Sequence, residues 1–407
     1  MVKGFMLPRP VLRFREGTAL TPYEGFKLGL KPYYGPSRIV PVVITHRDYL
    51  RDVEELFENL KAGLRGYGGA GKWFDLELED PEVVAVGSVR EYLDAVARMP
   101  LGDIVVAVIP DEMAVDYEDD PYMPLKREIA ITGIPSQMVE FSTVRNLKDS
   151  PFVLFNLMLN IYAKVGGIPW VLDDALPSDV VFGIDILRRR KGEEVALGLT
   201  CLTGKGAFRF EWEGSMSSPV EWMDVLSERI VGLSEDMGFR DLRRVCFHIE
   251  EPTGFASVEV VRRLIPEMRE RGILVEDGMY MVVAVRKSGV PRPFKGVGAR
   301  YGVPDKGLAF VLDYYRGVVL TSGYPEFAAF SPLGLVKPLA VEILDSNFEH
   351  NVKSALKEVY WLSEMHWASG FRSSKHPIST LYAHRVSSFL SAGVEPAREY
   401  KGKAWFL

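Results

Sequence analysis

From Arg38 onward, short apolar runs alternate with stretches in which apolar residues recur every three or four positions, the period of a helix with one buried face. Residues 39–45 read IVPVVIT, a continuous run suited to a strand covered on both sides. Residues 48–64 then space Val53, Leu56, Phe57, Leu60 and Leu64 on one helical face. The rhythm predicts a strand at 73–78, a helix at 89–98, a strand at 104–109 (IVVAVI), a helix at 124–131, a strand at 137–141 and a helix at 152–165. Strands joined through helices run parallel, so this stretch is expected to be α/β and Rossmann-like, with ligands bound at the loops beyond the strand ends.

After Gly166-Gly167-Ile168-Pro169-Trp170 the rhythm changes. Strand patterns at 180–187, 194–202 and 207–212 follow with turns too short for crossover helices, so they should pair antiparallel. A helix at 220–235, a strand at 244–249 and a helix at 258–271 come next, which is the element order of an RNase H-like domain. Further strands are predicted at 279–284, 308–314, 318–320 and 336–343, and helices at 351–366 and 377–391. The first 36 residues contain Pro8, Pro10, Pro22, Pro32 and Pro36 and read as strand and loop.

Composition adds bounds. A chain of 407 residues suits two or three domains, and with no apolar run of about 18 residues a membrane span is not expected, making the cytoplasm the default location. Cys201 and Cys246 are the only cysteines, so no disulfide framework or thiolate metal site is expected. The net charge of −6 argues against a nucleic-acid partner, although residues 1–36 are net basic and residues 37–170 are the most strongly net acidic stretch. Six Asn and one Gln, Gln137, in the whole chain fit a thermophile's avoidance of labile amides.

Four polar residues flank the later helices of the first domain: Tyr122, Lys126, Gln137 and Lys164. Tyr122 and Lys126 are four apart and share a helical face. A phenol, two ammoniums and an amide converging at strand ends would offer donors to a terminal phosphate and a ring for a base to stack on. Taken singly, each reads first as an ordinary surface or capping residue, Gln137 excepted as the chain's one Gln. Other classes fit poorly. The His residues show no HExxH spacing, Trp73 follows Lys72 where a phosphate loop needs Ser or Thr, and no GxGxxG follows the first strand.

Tyr122-x3-Lys126, then Ile134-Pro135-Ser136-Gln137, then Lys164-Val165-Gly166-Gly167 resembles the 5′-phosphate pocket of the MID domain of Argonaute proteins. Lys337-Pro338-Leu339, Met365-His366-Trp367, Gly370-Phe371-Arg372-Ser373, Tyr382-Ala383-His384 and the terminal Trp405-Phe406-Leu407 are similar to motifs of their PIWI domain. The closest likeness is to short archaeal-type Argonautes built of MID and PIWI. The resemblance implies an N-terminal segment (1–37) packing on PIWI, a MID domain (38–169) and a PIWI domain (170–407). It implies that Tyr122, Lys126, Gln137 and Lys164 grip the 5′-phosphate of a guide, Arg127 being the rival to Lys126. The C-terminal carboxylate of Leu407 and Asn160 would hold a divalent metal, with magnesium the choice for oxygen ligands. Arg372 and Lys375 are implied contacts to guide phosphates further along.

In this family, cleaving members use two metal ions roughly 4 Å apart, held by several carboxylates. By resemblance Asp185 stands at the first acidic position and His384 at the last, but Glu250 stands where an Asp belongs. Glu211 and Glu213 are candidates for a further acid only by location. The implied function is binding a short guide RNA or DNA and pairing it with a complementary target, without cleavage. The alternative is an RNase H-type slicer with a Glu-variant site. A role in prokaryotic defence, a protein partner supplying N- and PAZ-like or effector functions, and a homodimer are further implications of the family.

Overall fold

The computed structural model describes residues 4–111, 120–188, 194–206, 208–250, 254–287, 290–297, 300–326, 336–349 and 351–407. Most of the acidic loop at 111–120, and His350, lie outside them. The chain divides into two compact units, one of residues 12–171, 367–370 and 392–407, the other of residues 1–11, 172–366 and 371–391.

In the Rossmann-like unit, four parallel strands lie in the order Glu82–Val86, Pro41–His46, Ile104–Ile109, Ser136–Glu140. The two central strands are almost wholly buried, as their unbroken Val and Ile runs require. On one face, Tyr92 and Ala95 of the helix Tyr92–Arg98 and Leu125 and Ile129 of the helix Tyr122–Ile131 pack on Ile44, Val105 and Ala107. The helices Leu50–Ala62, Phe141–Leu147 and Pro151–Lys164 pack with one another. The strand expected at 73–78 is reduced to Glu77–Leu78, because Trp73 and Phe74 sit in a helical turn, Ala70–Phe74, and stack against Phe26. The sheet's edge is instead Glu82–Val86, a partly exposed strand whose short run Val83-Val84-Ala85-Val86 was not assigned to a strand. The helix Phe141–Leu147 was likewise unannounced.

The RNase H-like unit is built on a nine-stranded mixed sheet. Val180–Arg188, Val195–Thr203 and Phe210–Ser217 form the expected antiparallel meander. Leu242–Glu250 returns parallel to the first of them through the helix Trp222–Asp236, and Leu274–Arg286 extends the parallel set through Gly254–Glu270. Leu339–Ser346, Arg316–Val319, Leu308–Val311 and the N-terminal strand Gly4–Met6 complete the sheet, each antiparallel to its neighbour.

The two crossover helices bury one face against Phe182, Ile184, Val245, Phe247 and Val282. On the meander lies the final helix, Ile378–Ser391, with no side-chain layer at two points. A Cβ at Gly183 would stand 2.0 Å from the Ser379 carbonyl oxygen, and one at Gly198 would stand 1.9 Å from that of Ala383. Only glycine permits that approach. Among the described residues, no helix is long and apolar enough to cross a membrane.

Candidate functional site

In the Rossmann-like unit, the strand Ser136–Glu140 begins directly after Pro135, which fixes the backbone where chain enters sheet. The carbonyl oxygen of Ser136 accepts hydrogen bonds from Lys126 Nζ at 3.2 Å and Lys164 Nζ at 2.9 Å. Both lysines are buried, 3% and 2% exposed. Two ammoniums are thereby held out of water within hydrogen-bond reach of one backbone oxygen. Arg127, the next residue, is exposed and donates to the Ala392 carbonyl, so the helix turns Lys126 and not Arg127 toward Lys164.

The C-terminal stretch belongs to the same pocket. Lys126 Nζ also donates to the Trp405 carbonyl at 3.4 Å and lies 5.6 Å from its ring centroid, and Ala404 N–H donates to the Ala163 carbonyl beside Lys164. Trp405 and Phe406 are buried, and Tyr400 Oη donates to the Ile134 carbonyl.

Tyr122, Gln137 and Asn160 line an adjoining cleft of about 730 Å³ with Asp120, Glu140 and Thr143. Gln137 Nε2 donates to the Met138 carbonyl at 2.8 Å, leaving its Oε1 buried without a hydrogen-bond partner. Asn160 Nδ2 donates to the Asn156 and Ala368 carbonyls, which orients its Oδ1 away from them. The four residues matched to the phosphate pocket therefore fall in one neighbourhood, two buried at the Ser136 carbonyl and two on the cleft wall.

In the other unit, Asp185, Glu250 and His384 present one oxygen or nitrogen each within 4.8 Å of one another. The close seating of the final helix on Gly183 and Gly198 delivers His384 to Asp185, with Nδ1 3.2 Å from Oδ2. That hydrogen bond holds His384 above its ordinary range, against the burial that would lower it, and the charges of Asp185 and Glu250 add to it. Ser387, one helical turn on, also donates to Asp185 Oδ2, and Lys287 pairs with Glu250. Neither partner was anticipated, though Ser387 shares a face with His384 by spacing alone. Glu213 pairs instead with Arg229 at 3.8 Å, and Glu211, on the strand Phe210–Ser217, joins no such group among the described residues.

Lys375 is half-buried, and burial together with the nearby charges of Lys337, Lys287 and Arg292 lowers its pKa. His376 is pushed down to about 3 by burial, by Lys287 and Lys375, and by His384. A cationic cluster thus adjoins the acidic one. Arg372 is exposed.

A Piwi domain model matches residues 104–216. The chain is 24% identical over 340 residues to the Piwi protein of Archaeoglobus fulgidus, covering 75% of each. It is 22% identical over 314 residues to the protein argonaute of Cereibacter sphaeroides, covering 70% of this chain and 40% of that one. Its fold is similar to that of Clostridium butyricum Argonaute bound to a guide DNA and a 19-mer target DNA, with a TM-score of 0.75 at 21% identity, over 96% of this chain and 53% of that one. The chain thus spans about half the length of that structure.

Proposed function

We propose, from its likeness to the Argonaute and Piwi family, that the chain anchors the 5′-phosphate of a short guide strand in the Rossmann-like MID unit and presents the guide to a complementary target without cutting it. The observation that carries this reading is the convergence of Lys126 and Lys164 on the Ser136 carbonyl, beside Gln137. A phosphate carries two charges to match two ammoniums, and each charge-assisted hydrogen bond contributes about 1.5–3 kcal/mol. Tyr122 on the cleft wall offers its ring to the first base.

The donor set fits a divalent ion there. Asn160 Oδ1 and the carboxylate of Leu407, two residues beyond the Trp405 carbonyl that Lys126 holds, are hard oxygen ligands of the kind magnesium takes. Such an ion would neutralise guide phosphate. Arg372 and Lys375, with Lys337 and Arg292, are assigned to phosphates further along the guide.

The non-cleaving reading rests on the acidic cluster. Among the described residues it holds two carboxylates and one imidazole, whereas a two-metal site needs several carboxylates to hold both ions. Both carboxylates already have partners, Asp185 in Ser387 and His384, Glu250 in Lys287. A slicer with a Glu variant is the second reading, favoured by the closeness of the three ligand atoms, which suits one ion.

Binding of 5′-phosphorylated and 5′-hydroxyl guides, measured with Lys164→Ala and Gln137→Ala, tests the pocket. The phosphorylated guide should lose affinity selectively, and equal losses for both guides would remove the assignment. Residues appended after Leu407 should reduce the same preference. Guide, target and Mn²⁺ incubated with the protein should leave the target whole. Cleavage at one position, abolished by Asp185→Ala, would establish the slicer.

A further inference from the structure

A second group of chemistry-bearing side chains meets in the core of the RNase H-like unit. Cys246 and His248 lie two apart on the strand Leu242–Glu250 and so face one side of the sheet, where Glu358 of the helix Val352–Ser363 meets them. All three are fully buried, and one ligand atom of each lies within 4.8 Å of the others. His248 Nε2 and Glu358 Oε2 are 3.4 Å apart, yet neither makes a hydrogen bond.

The remaining atoms of both groups are held. His248 Nδ1 lies 2.8 Å from Ser379 Oγ, and Glu358 Oε1 accepts from Ser178 N–H at 3.1 Å. That is the division metal ligands adopt, one atom fixed by an outer partner and the other turned to the ion. An N to O separation of 3.4 Å also matches the edge of a tetrahedron whose bonds are about 2.0–2.1 Å long.

We propose that Cys246, His248 and Glu358 form a structural site for a zinc-like divalent transition ion. A thiolate, an imidazole and a carboxylate select zinc over magnesium, whose ligands are all oxygen. Thiolate and carboxylate together balance the ion's two charges, so the buried site is neutral, and the thiol proton leaves to solvent on binding. The ion also gives direct bonds to the His248 and Glu358 atoms, whose only mutual contact is the 3.4 Å approach and neither of which is hydrogen-bonded. The Ser178 hydroxyl, beside the Cys246 sulfur, offers a fourth ligand. Ser178 and Arg244 also line a cleft of about 630 Å³. A lone cysteine per motif concealed this arrangement from spacing rules; the third ligand comes from more than a hundred residues away.

The test is to express the full chain in cobalt- and in zinc-supplemented minimal medium and to measure metal content and absorption. About one equivalent of ion should survive dialysis against a chelator, and the cobalt form should show a sulfur-to-cobalt charge-transfer band in the near ultraviolet. The band should vanish in Cys246→Ser and persist in Cys201→Ala and Asp185→Asn. Should Cys246→Ser not fold, the band of the unsubstituted protein and lowered metal retention in Glu358→Gln stand as the evidence. Folded protein that carries no transition ion from either medium, and no band after refolding with excess cobalt, would overturn the site.

Discussion

The two units each gather ionisable groups beside parallel strands, but with opposite sign. In the MID-like unit, two buried ammoniums share one backbone oxygen. In the RNase H-like unit, each carboxylate has been matched, Glu250 by Lys287 and Asp185 by Ser387 and His384. A carboxylate that is already matched must give up a partner before it takes an ion. On the proposed reading, the difference separates a pair of cations offered to a phosphate from two carboxylates already engaged.

The largest expected effect breaks the first half of that contrast. Lys126→Ala with Lys164→Ala should weaken a 5′-phosphorylated guide about 10³-fold, at about 1.5–3 kcal/mol per lost charged hydrogen bond. The 5′-hydroxyl guide should change far less, as equilibrium binding at fixed salt would show.

Next come the glycines beneath the acidic cluster. Gly198→Ala should destabilise the fold by about 1–3 kcal/mol, read by chemical denaturation, because the final helix must shift to admit a methyl group. A neutral outcome would mean that the helix seat is soft and that His384 is not held by it.

Lys287→Ala sharpens the second half. Freeing Glu250 from its ion pair should raise Mn²⁺ affinity at the cluster about tenfold, the consequence of removing one unit charge in contact with a carboxylate. Paramagnetic broadening of the His384 ring signals would report it. No change would show that Lys287 does not guard the site.

The smallest effect is in pH. Asp185 raises the folded pKa of His384 above 6.5, so the contact stabilises fully below that value and the benefit is lost as pH rises through the folded pKa. The Tm advantage over Asp185→Asn should therefore shrink as pH climbs above about 6.5, and in that variant the ring should titrate nearer its ordinary value. A constant difference would put the histidine's shift down to something else.

Much of this was legible in the chain because burial on both faces writes itself as unbroken Val and Ile. Ile104–Ile109 falls where its run predicts, and the meander from Val180 to Ser217 pairs as its short turns require. The edge strand Glu82–Val86 was passed over, because its run of four apolar residues between Pro81 and Gly87 is shorter than those of the two buried central strands. Trp73 and Phe74 misled in the other direction, since aromatic residues favour strands until a cluster such as that around Phe26 takes them. Within the candidate sites, residues that carry charge in a recognisable order could be singled out, as Lys126 and Lys164 were, and the fold brings those two together. Partners that act through a backbone carbonyl, like Ser136 and Trp405, have no side-chain signature. Lys287 was hidden for another reason, because strand register, not sequence distance, brings it to Glu250.

The glycines at 183 and 198 have a consequence for how this protein tolerates change. They record the position of His384 in atoms that are missing, so a library randomised at either position and selected only for solubility should return a near-uniform answer, as severe as at any charged residue. A designer wishing to restore or remove chemistry here has more freedom at Glu250 than at the floor under it. The tolerance map of the site is thus inverted, with the groups that look inert the ones that admit no substitute.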